Sequence, residues 1–90
     1  MFKYKPGISV SYARQGYIYF KSLSYNTLSR SEREAIDELC LRVGGEHREA
    51  LFTFVTTDTS ATKICMENYL SKATLYRLVK RYYEEFPNKL

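Results

Sequence analysis

The chain has 90 residues, a formal net charge of +4 and 44% hydrophobic residues, with nine tyrosines, five phenylalanines and no tryptophan. That length allows a single domain, residues 1–90, built on one small core. Two cysteines and one histidine cannot supply the four ligands of a structural zinc site, and no apolar run approaches the ~18 residues of a membrane span.

In chain order, Met1–Gly7 forms a short irregular arm that ends at Pro6-Gly7 and carries no hydrophobic signal core. Residues 8–25 admit two readings. Val10–Ala13 and Tyr17–Phe20, separated by Gln15-Gly16, fit a β-hairpin. Tyr12, Gly16, Tyr19, Phe20 and Leu23 also mark one face of a helix. The helix is preferred, because everything downstream is helical and an isolated hairpin needs something to pack on.

Residues 28–58 predict two packing helices. Ser29–Glu32 and Ser31–Glu34 both fit the capping box, in which a serine and a glutamate satisfy free backbone donors at a helix start. Ala35, Ile36, Leu39, Cys40 and Val43 follow at helical spacing, and Gly44-Gly45 ends the helix. The second helix runs from about Glu46 to Val55 with Leu51, Phe52 and Val55 on its apolar face, flanked by Ala50 and Phe54. Thr56–Ser60 breaks the chain and offers a cap for the next helix.

Residues 59–86 predict two more helices and a tight turn. The first spans about Ser60–Asn68, with Ile64 and Cys65 inward. The second, helix 72–86, starts after Ser71 and ends before Pro87, since the residue before a proline disfavours helix. Leu75, Leu78, Val79 and Tyr82 form its buried stripe. Lys72, Ala73, Tyr76, Arg77 and Lys80 occupy the opposite face. The fold class expected is therefore all-α, four to five short helices, with the N-terminal β-hairpin as the alternative.

The charge is unevenly spread. Residues 30–59 hold four basic and seven acidic side chains, whereas residues 60–83 hold Lys63, Lys72, Arg77, Lys80 and Arg81 against Glu67 alone. Lys3, Lys5, Arg14 and Lys21 stand in the first 29 residues without any acid. A basic excess concentrated on one helix pair is the footprint of a phosphate-contacting surface. Cys40 and Cys65 sit at apolar helical positions and read as reduced core residues of a cytoplasmic protein. No nucleophile, base and orienting group can be assembled around His47, and Gly44-Gly45 lacks a following Lys-Ser/Thr. Neither an enzyme nor a cofactor is expected.

Ile64-Cys65 and Leu70-Ser71-Lys72-Ala73-Thr74-Leu75-Tyr76-Arg77 resemble the helix-turn-helix of bacterial regulators, resolvases and invertases, and of small sporulation DNA-binding regulators. The resemblance implies a C-terminal helix-turn-helix and a transcriptional regulator of bacterial, phage or mobile-element type. It places the base-reading positions on Ser71, Lys72, Ala73, Tyr76, Arg77 and Lys80. Lys63 and Arg81 join Lys72 and Lys80 as expected phosphate contacts. Two departures stand out: Tyr69 occupies the family's turn glycine, and Asn68 its preceding apolar position. Because a left-handed tyrosine is costly and Asn tolerates that region better, the turn is expected to shift by one residue or lengthen.

Leu28–Ile36 also resembles, more weakly, the opening helix of sigma-factor region 4 and related phage or mobile-element regulators, which implies architecture alone, with an intervening segment longer here by about one helix (Glu46–Val55); an RNA polymerase contact belongs to the adaptor alternative. Tyr82, Tyr83 and Phe86 are more aromatics than a small core takes up, so the surplus predicts a homodimer contact or a partner surface. The expected function is sequence-specific binding of double-stranded DNA in the major groove. The alternative is a protein-interaction adaptor that keeps the helix-turn-helix fold without reading DNA.

Overall fold

Serines start four of the five α-helices. The structure, a computed structural model, describes residues 4–90. Met1–Lys3, the expected beginning of the arm and the base Lys3, lie outside the described residues. Helix α1 spans Tyr12–Leu23, α2 Arg30–Gly44, α3 Arg48–Thr56, α4 Ala61–Asn68 and α5 Lys72–Glu85. Short 3-10 turns, Tyr25–Thr27 and Gly45–His47, precede α2 and α3. The fold is all-α, and no strand occurs among the described residues. The hairpin alternative for residues 8–25 is thereby replaced by α1.

The helix ends follow local chemistry. At α2 the Ser29 hydroxyl accepts the Glu32 N–H (3.3 Å) while the Glu32 carboxylate accepts the Ser29 N–H (3.1 Å). Ser29, rather than Ser31, is therefore the cap. Gly45, at φ 55°, closes α2 in the left-handed half of backbone space, where a side chain is disfavoured. Phe86 is extended (φ −59°, ψ 128°) and ends α5 ahead of Pro87.

Buried side chains from all five helices meet in one cluster. Ile18, Ile36, Leu39, Leu51, Ile64, Leu75, Val79 and Tyr82 lie at its centre. Cys40 and Cys65 are free thiols within it, and burial pushes the Cys40 thiol up to about 12. On α3, Ala50 is inside and Phe52 moves to the edge, where its ring meets Tyr25 edge-on at 4.9 Å.

Two expectations are corrected by the packing. On α1 the buried residues are Gln15, Ile18 and Ser22, not the aromatic stripe. Tyr12 and Phe20 are exposed, and Gly16, Tyr19 and Leu23 are half-buried. Gln15 is fully buried because its amide holds the arm: its Oε1 accepts the Lys5 N–H (2.8 Å), and its Nε2 donates to the Lys5 and Val10 carbonyls (3.1 and 3.0 Å). Every hydrogen-bonding group of the amide that faces inward is thus used.

Tyr82, Tyr83 and Phe86 are the second correction. All three are buried within the chain, so the surplus that suggested a homodimer contact does not exist. The cover comes from α1 and the arm. Tyr82 pairs its hydroxyl with Ser22 Oγ at 2.7 Å, the Lys5 ammonium sits over the Tyr83 ring at 5.8 Å, and the Arg14 guanidinium sits over the Phe86 ring at 5.6 Å. Burial raises both tyrosine pKa values and lowers that of Lys5. Arg14 also donates to the Pro87 carbonyl (3.1 Å), and Tyr17 to that of Leu90, so α1 ties down both ends of the described chain.

Candidate nucleic-acid interface

Helices α4 and α5 form a corner whose turn is Tyr69–Leu70–Ser71. Ile64 and Cys65 bury one face of α4, and Leu75 and Val79 bury one face of α5, with Leu70 packed between them against the core. Behind this pair stands α3, which contributes Leu51 and Val55. Three helices with short connections thus share one core segment, and one face of α5 is left to solvent.

The turn is built without glycine and without a shift. Tyr69 itself takes the left-handed conformation (φ 55°, ψ 46°), which overturns the expectation that the turn would move to Asn68 or lengthen. Asn68 instead uses its side-chain amide to donate to the Ile64 carbonyl (2.8 Å), and the Leu70 N–H reaches back to Cys65 (3.2 Å). Free carbonyls at the end of α4 are thereby satisfied. A left-handed tyrosine costs about 1–2 kcal/mol. The caps on either side and the packing of Leu70 against the core hold the turn against that cost.

Ser71 caps α5 by accepting the Thr74 N–H (3.1 Å), and its hydroxyl also donates to Thr74 Oγ1 (3.0 Å). Beyond it the outward face carries Lys72, Ala73, Arg77 and Lys80, all exposed. Lys63 on α4 is exposed as well. Among the described residues none of Lys63, Lys72, Arg77 and Lys80 is held in an ion pair. Arg77 makes only a long contact to Thr74 Oγ1 (3.4 Å). Lys72, Arg77 and Lys80 are thus three unneutralised cations on one face of α5, and such a local excess of positive charge attracts a polyanion.

Two of the expected site residues are placed differently from the rest. Arg81 bonds Glu85 through Nε and Nη2 (3.2 and 3.1 Å), and Glu85 also takes Arg42 of α2. Its charge is thus shared with Glu85 and Arg42, although it stands one turn after Arg77 on the same helix. Tyr76, half-exposed, meets the Phe54 ring of α3 edge-on at 6.4 Å. It also borders a groove of about 400 Å³ between α5 and the arm, formed with Pro6, Ile8, Val79 and Lys80.

The packing of that arm on α5 is the feature sequence reasoning missed. Ile8 is buried, the Ser9 N–H donates to the Glu84 carboxylate (3.0 Å), and residues 5–9 run beside the C-terminal half of α5. The only signal for this is an isolated isoleucine after Pro-Gly. The clamp that secures it, Gln15, has no sequence signature. No cluster of three or more His, Cys, Asp or Glu side chains suited to a metal occurs among the described residues, and none of their helices is long and apolar enough to cross a membrane. Compared with known proteins, the chain matches no family model, no curated protein and no solved structure.

Proposed function

We propose that this chain binds double-stranded DNA, placing α5 in the major groove, and acts as a transcriptional regulator. The observation that carries this reading is the unpaired basic stripe of Lys72, Arg77 and Lys80 on the solvent face of a helix that follows a three-residue turn. A helix of this kind, backed by two others, is the reading element of helix-turn-helix proteins. Lys63, Lys72 and Lys80 contact phosphates and supply affinity that falls with salt. Ala73, Tyr76 and Arg77 face base edges, with Arg77 suited to the O6 and N7 acceptors of guanine. Ser71 serves mainly as the helix cap. Arg81, tied to Glu85, contributes less than the four free cations.

The test is a titration of the protein into labelled random-sequence duplex at two salt concentrations. Micromolar binding that weakens steeply with salt is expected, and Arg77→Ala/Lys80→Ala should abolish it. Once a preferred site is selected, Arg77→Ala should cost roughly 1–3 kcal/mol and relax preference at one base position. Equal loss on every sequence would reassign Arg77 to a phosphate.

A second reading, a protein-interaction adaptor such as one that contacts RNA polymerase, draws on a different surface. Leu41 is exposed beside a groove lined by Asp37, Glu49 and Phe52 between α2 and α3. Salt-insensitive association with a protein, and no shift of duplex DNA at low salt, would favour it.

A further inference from the structure

Tyr69 is the only non-glycine residue with positive φ among the described residues. Glycine adopts this conformation without penalty, and the Tyr69 side chain, 94% exposed, adds no packing of its own in return; its neighbours alone hold the turn. Its hydroxyl has no hydrogen-bond partner among the described residues. Met66, one turn earlier on α4, is also strongly exposed. Lys63 and Lys72 flank the pair along the chain, neither of them ion-paired. An aromatic side chain that packs on nothing inside the molecule, kept at a position where glycine would be unstrained and next to the start of the basic helix α5, points to a contact outside the chain. The charge around it suits a polyanion.

We propose that Tyr69 is a DNA-backbone contact, its ring lying on a sugar and its hydroxyl donating to a phosphate oxygen beside the start of α5. This inference rests on the DNA-binding reading above. Tyrosine hydroxyls are among the groups that position proteins on phosphates, and such contacts carry no sequence information. The contact is neutral, so no counterion is released through it.

Two substitutions separate this role from a structural one. Tyr69→Gly relieves the backbone and should raise the thermal midpoint by about 4 °C while weakening duplex binding about tenfold. Tyr69→Phe keeps the ring and the turn, and should leave the midpoint unchanged while weakening binding several-fold on all sequences alike. In both variants the slope of affinity against salt should match that of the unsubstituted chain, unlike Lys72→Ala, which should lower it by about one. Unchanged binding in both variants overturns the proposal and leaves the DNA-binding function standing. Loss in Tyr69→Gly but not in Tyr69→Phe overturns the hydroxyl contact, because the phenylalanine variant lacks only that hydroxyl. If the unsubstituted chain fails to bind duplex at low salt, the proposal falls together with the function it rests on.

Discussion

The C-terminal corner and the N-terminal segment are both helical and both rich in aromatics, yet they are organised in opposite ways. In α5 the apolar stripe of Leu75, Val79 and Tyr82 is buried and the charges face water. In α1 an amide, an isoleucine and a hydroxyl (Gln15, Ile18 and Ser22) are buried, and Tyr12, Tyr17 and Phe20 face outward. Helical periodicity locates a face. It does not say which face is turned inward when both carry apolar residues. On α1 the decision falls to groups that must be hydrogen-bonded once buried, and those partners come from the arm and from Tyr82.

The sharpest way to break this comparison is to truncate each face of α1. Ile18→Ala should cost about 2–5 kcal/mol in urea unfolding, as expected for a fully buried isoleucine. Phe20→Ala should stay within about 0.5 kcal/mol despite the larger side chain. A reversed order would restore the aromatic stripe as the core face. Next in size is Gln15→Ala, which strands the Lys5 N–H and two carbonyls and should cost about 1–3 kcal/mol. Amide exchange at Lys5 should accelerate selectively, since that N–H loses its partner. Exchange that stays slow would show that Ile8 and the Ser9–Glu84 bond anchor the arm without Gln15.

On the other side of the comparison, Ser71→Ala removes the cap from the Thr74 N–H and should lower stability by about 1 kcal/mol. The smallest effect is electrostatic. Glu32 is held below its ordinary value of 4.5 by the Lys21 ammonium and the Ser29 donors. A carboxylate with a depressed pKa adds stability above 4.5 that is lost as the pH falls through its folded value. The difference in thermal midpoint between the unsubstituted chain and Glu32→Gln should therefore be largest near neutrality and shrink on acidification. A difference that persists unchanged at low pH would show that the carboxylate charge contributes nothing.

Much of the architecture was legible in the sequence. The Ser29–Glu32 box, the Gly44-Gly45 stop, the Ser60 and Ser71 caps and the limit set by Pro87 act within a few residues. Their energies do not depend on distant parts of the chain. The exposed positions of Lys63, Lys72, Ala73, Arg77 and Lys80 followed for the same reason, since a strongly amphipathic helix can bury only its apolar stripe. The turn was misjudged because the cost of a left-handed tyrosine was weighed locally. The packing of Leu70 against the core and the caps on both sides outweigh it.

What the sequence alone determined is thus the helical class, most helix boundaries and the cationic side of α5. Only the tertiary structure decided where the remaining aromatics go. Tyr83 and Phe86 are buried because Lys5 and Arg14 cover their rings, and both covering residues are distant in sequence. It also decided that Arg81 is spoken for, because Glu85 lies between it and Arg42 of α2. Local patterns report what a segment prefers. Burial, and the pairing that burial requires, depend on which segments arrive together.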